Sequence, residues 1–127
     1  GGVDGEARAQ LMTSAGHYAK ILQQSEGMLG GGHAMTLKAR SRLATVMTLS
    51  RVPRSCSNAL PLWRAVLAAT KRCVPPNWPH LLEPLRGGID AARVAGDMAA
   101  AAQFEEELAH VLQVLNPACS DVNPPTH

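Results

Sequence analysis

The stretch Ile89-Asp90-Ala91-Ala92-Arg93-Val94-Ala95-Gly96-Asp97-Met98-Ala99-Ala100-Ala101 decides the fold. Gly96 suits a left-handed turn position, and Asp97 is a helix-capping residue type. Before the turn, Leu81, Leu85, Ile89 and Ala92 recur at steps of four, four and three. After it, Phe104, Leu108, Val111 and Leu115 recur at steps of four, three and four, while Glu105, Glu106 and Gln113 fall on the water-facing side. Each series is the apolar seam of a helix, and so short a connection makes the two helices antiparallel neighbours. The first runs from His80 to about Ala95 and the second from Met98 to Leu115, where Asn116-Pro117 stops it. Gly87-Gly88 interrupts the first at a cost of about 1 kcal/mol per glycine relative to alanine, so a close helix–helix contact is expected there, in preference to a kink.

Further toward the N-terminus the punctuation repeats. Asp4 is a candidate cap for a helix ending near Met28, with Leu11, Ala15, Tyr18 and Leu22 on one face. Gly30-Gly31-Gly32 breaks it. A second helix is predicted from His33 to Ser50, with Met35, Leu43, Val46 and Met47 inward, and Pro53 ends it. A third is predicted from Asn58 to Val74, capped by Ser55 or Ser57, with Pro61 in its first turn and Leu60, Trp63, Leu67 and Val74 as its stripe. Pro75, Pro76 and Pro79 make an extended connector. The prediction is therefore all-α: five antiparallel helices packed as αα-hairpins, in one domain over residues 1–116, with 117–127 a loose tail.

Composition agrees. The chain has 127 residues, enough for one core without metal or disulfide staples. It is 46% hydrophobic and 17% charged, with mean hydropathy −0.05, the balance of a soluble globular domain. Twenty alanines and fifteen leucines against nine valines and two isoleucines favour helix over sheet. No apolar run reaches the 18 or so residues of a membrane span. The chain opens Gly1-Gly2-Val3 rather than with Met, as a processed product, a fragment or a cloning remnant would. Cys56, Cys73 and Cys119 cannot all pair within one chain and lack zinc-site spacing, which points to reduced thiols in an intracellular, cytoplasmic protein.

The Gly96-Asp97 turn, with the small residue Ala101 five positions after the glycine, resembles the turn region of a tetratricopeptide repeat. The likeness is partial: Leu108 stands where the family places its next small residue, and Val66 does so in the preceding pair. From about Leu11 to Asn116 the layout is similar to the C-terminal helical domain of the SET-and-MYND lysine methyltransferases. Its landmarks are the His33-bearing turn, Ala59-Leu60-Pro61-Leu62-Trp63, Pro76-Asn77-Trp78-Pro79-His80-Leu81-Leu82 and the Gly96 hairpin. In that family the domain walls a substrate cleft and binds partners, while methyl transfer belongs to modules of which this sequence carries no signature. The resemblance thus implies a non-catalytic interaction module. A structural subunit or C-terminal fragment of a larger assembly or methyltransferase is the alternative.

Charge suggests where a partner binds. Between His33 and Val74 there are eight basic residues and no acidic one. Lys38 and Arg42 share a helix face at a spacing of four, as do Arg64 and Lys71 at seven, and an antiparallel pair of helices could bring all four onto one cationic surface. Such a surface attracts a protein or acidic peptide. Nucleic acid is disfavoured because Trp63 is the stretch's lone aromatic and no groove-reading motif occurs. The bland alternative is a solvated face neutralised in part by Glu105, Glu106 and Glu107.

No catalytic constellation emerges, and no cofactor is implied. Glu107-x-x-His110 is a single step where a di-iron bundle needs two and further glutamates. His33 and His80 sit at predicted helix starts, where a cap or packing role is the commoner one. Ser14, Ser41 and Cys73 lack nucleophile signatures.

Overall fold

The computed structural model describes residues 2–72 and 78–115. Within them the chain is all-α, in the order α1 (Gly2–Leu29), α2 (Ala34–Leu49), α3 (Pro53–Lys71), α4 (Trp78–Ala95) and α5 (Met98–Leu115). Consecutive helices pack on one another, and α2 also meets α4. The cross-helix bonds give the directions. Ser41 reaches Glu83 and Arg51 reaches Asp90, so α2 and α4 run parallel, as alternate members of a hairpin series do.

The turns follow from their residues. Gly30 and Gly96 take φ of +88° and +81°, open to glycine without strain. His33 caps α2, its Nδ1 accepting the Met35 N–H at 3.1 Å, and Asp97 caps α5, its Oδ1 accepting the Ala100 N–H at 3.0 Å. Between α2 and α3, Arg51 takes φ of +58° without being glycine. Ser50 braces that turn by donating to the Met47 carbonyl and accepting from the Val52 N–H.

Several boundaries differ from expectation. α3 begins at Pro53, whose fixed φ and missing N–H suit the first helical position, with Val52 as an N-cap that makes no side-chain bond; Ser55 and Ser57 are inside the helix. Pro61 consequently sits in its interior, on the exposed side. α4 starts at Trp78 and contains Pro84. α1 takes in Asp4 instead of starting after it. Met35 is 62% exposed because the buried face of α2 is Thr36, Ala39, Leu43 and Ala44. Val74, Cys73, Cys119 and the 117–127 tail lie outside the described residues.

The main core spans α2 to α5 and centres on Trp63, Leu81, Leu85, Phe104 and Val111. The glycine pair shapes it. A Cβ on Gly87 would lie 2.4 Å from the Trp63 ring, and one on Gly88 would lie 2.7 Å from the Phe104 ring. Each glycine thus admits an aromatic face against bare backbone, the close contact expected from the sequence. Trp63 is also pinned by its indole N–H, beside the Gly87 contact: Nε1–H donates to Thr48 Oγ1 at 3.0 Å while Thr48 donates to the Ala44 carbonyl. A smaller cluster of Leu22, Ala39 and Leu43 joins α1 to α2.

Candidate functional site

Among the described residues there is a groove of about 770 Å³. α2 supplies one wall through Leu37, Lys38, Ser41, Arg42 and Thr45, and the first turns of α4 supply the other through His80, Glu83 and Pro84. Val66 and Thr70 of α3 form part of the lining, and Tyr18 of α1 closes one side. The parallel α2 and α4 bring their N-terminal halves together here, and Ser41 Oγ donates to Glu83 Oε1 at 2.6 Å to tie the walls.

The four predicted partner-binding residues divide. Lys38 and Arg42 are exposed, lie one helical turn apart in this groove, and form no ion pair with any described carboxylate. Arg64 and Lys71 are also exposed but face α5. The Arg64 guanidinium lies over the Phe104 ring, 5.7 Å from its centroid, and Lys71 pairs with Glu107. The single cationic surface joining all four does not form, because α3 turns its basic stripe to the α5 side while α2 keeps its own in the groove.

Two acids of α5 are engaged in different directions. Glu107 holds Lys71, and Glu105 pairs with Arg93 across the α4–α5 hairpin rather than with the 33–74 stretch. Arg51 pairs with Asp90 at 2.6 Å, which raises the guanidinium pKa further by hydrogen bonding and charge. Arg40 joins Glu26 at 2.9 Å and ties α2 to α1.

For chemistry the described residues offer little. No three His, Cys, Asp or Glu side chains among them group as a metal site. Cys56 is fully buried, its thiol directed at the Met47 and Thr48 carbonyls, and burial pushes its pKa up, away from a reactive thiolate. Among the described residues no helix is long and apolar enough to cross a membrane.

Sequence reasoning missed Tyr18, Ser41, His80 and Glu83 as groove residues. The readable signals were Ser41 between Lys38 and Arg42, and the one-turn step from His80 to Glu83, but their juxtaposition depends on α2 and α4 meeting.

No protein-family model matches the chain, and no curated protein or solved structure matches it either.

Proposed function

We propose that the protein is a non-catalytic interaction module of tetratricopeptide-like design whose α2–α4 groove binds an acidic segment of another protein. One observation carries this reading: Lys38 and Arg42 stand exposed and without a carboxylate partner among the described residues, on the wall of the α2–α4 groove. Arg40, Arg51, Lys71 and Arg93 are engaged by carboxylates and Arg64 by a ring, while Lys20, Arg54, Arg72 and Arg86 lie outside this groove. An anionic ligand gains two uncompensated charges at this place, within a concave surface that lowers the effective dielectric. The hairpin order, the Gly96 turn and the parallel α2 and α4 support the likeness to helical-repeat modules.

The test is amide chemical-shift titration of the full chain with an acidic peptide and a basic control. Shifts clustered at residues 34–46 and 79–84, produced by the acidic peptide alone and lost in Lys38→Glu/Arg42→Glu, are the expected result. Equal response to both peptides, or shifts elsewhere, would overturn the reading.

A second reading, a structural subunit of a larger assembly, is favoured by apolar side chains left in solvent around the α1–α2 turn. Met28, Leu29 and Met35 are 83%, 45% and 62% exposed. Under that reading, light scattering finds the purified chain self-associating.

A further inference from the structure

The groove is not uniformly cationic. Lys38 and Arg42 line the α2 wall, but the α4 wall facing them presents Glu83, one turn after His80. The Ser41–Glu83 bond fixes where that carboxylate sits. Ser41 falls between Lys38 and Arg42 along α2, so Glu83 stands across the groove from the interval between the two cations. Glu83 is exposed and reaches neither cation within ion-pair distance. The site therefore reads positive, negative, positive along its length, with the negative charge on the opposite wall.

Resting on the acidic-segment reading above, we infer that the groove's ligand is an extended protein segment of acid–base–acid pattern. Its two carboxylates face Lys38 and Arg42, and its central Lys or Arg faces Glu83. The spacing fits an extended chain. Lys38 and Arg42 are four residues apart, about 6 Å along a helix axis. In an extended chain, residues i and i+2 are about 6.6 Å apart on one side, with residue i+1 on the other. That alternation is what the two walls require.

The 2.6 Å Ser41–Glu83 bond bridges the two walls at the groove's middle, so a ligand lies over it and is not threaded between the walls. An extended chain needs only about 4.8 Å to its neighbours and can lie across that bond. The lined length of α2, from Ala34 to Val46, is about 18 Å and takes about five extended residues.

The experiment titrates the full chain with acetylated, amidated pentapeptides Ala-Glu-X-Glu-Ala, where X is Lys, Ala or Glu, followed by amide shifts at residues 38–42 and 80–83. The Lys peptide is expected to bind about three- to five-fold more tightly than the Ala peptide, the size of one partly screened ion pair. The Glu peptide is expected to be weaker than both. In Glu83→Gln, which keeps an acceptor for Ser41, the Lys and Ala peptides should bind equally. If all three bind the native protein alike, or the order persists in Glu83→Gln, the charge-pattern inference fails while the acidic-segment reading stands. If none binds but a longer helical acidic peptide does, the extended form is wrong. If no acidic peptide of either kind binds, both fall.

Discussion

α1 and α4 both carry glycine in mid-helix, for opposite reasons. In α1 a Cβ at Gly5, Gly16 or Gly27 would meet nothing within 4 Å. In α4 a Cβ at Gly87 or Gly88 would strike an aromatic ring. The helices differ in the same way elsewhere. Leu22 is the one fully buried side chain described in α1, whose backbone approaches α2 alone. α4 buries Leu81, Leu85, Ile89, Ala91 and Ala92 and packs against α2, α3 and α5. A glycine is thus a packing device where three helices converge, and a source of helical weakness where one helix lies on the outside.

The largest expected effect tests the packed end of this contrast. Gly87→Ala should cost about 3 kcal/mol, at the upper end of overpacking, because the buried Trp63 ring is anchored through Nε1–H to Thr48 next to the point of contact. Denaturant unfolding followed by tryptophan fluorescence measures it, and a loss below about 1 kcal/mol would mean that the ring shifts freely. Leu22→Ala comes next, at about 2 kcal/mol, the low end for leucine truncation because the seam is shallow. Its signature is regional: hydrogen exchange should quicken in α1 and leave α3–α5 protected, and uniform loss of protection would show the two regions to be one cooperative unit.

Gly16→Ala should act with the opposite sign. With open space for the methyl group, it should stabilise α1 by about 0.5–1 kcal/mol and slow exchange there a few-fold. Destabilisation would show that α1 uses its glycine for a contact after all. The smallest effect is in pH. Burial raises the Cys56 pKa, so the native state holds that proton more tightly than the unfolded chain. Its contribution is fully present below the ordinary thiol pKa of about 8.5 and is lost as pH rises through the raised native value. Cys56→Ala should flatten this alkaline decline in a pH series of unfolding midpoints, and an unchanged slope would assign the decline to other groups.

Much of this architecture is legible in the sequence. The α5 limits, the Gly96 turn, the Asp97 cap and the Gly87-Gly88 contact follow from local chemistry, and the structure has all four. The reading failed where local rules compete. Pro53 ends one helix and begins the next, so Ser55 and Ser57, the cap candidates, lie three and five residues into α3. Met35 fits a 3.6-residue apolar pattern, yet α2 buries the adjoining face of small residues, Thr36 and Ala39, because α1 lies close against it. Of the site, Lys38 and Arg42 were legible as neighbours on one helix. Arg64 and Lys71 were misjoined to them because charge alone does not say which way α3 faces.

The amino-acid order by itself determined that this chain makes helices, where most of them turn, and which seams are apolar, since periodicity, caps and glycine act over a few residues. Only the tertiary structure decided that Glu83 stands opposite Lys38 and Arg42 while Lys71 is neutralised by Glu107. Those relations join residues more than thirty positions apart, and their partners are selected by how whole helices rotate to bury Trp63 and Phe104 against bare glycine backbone.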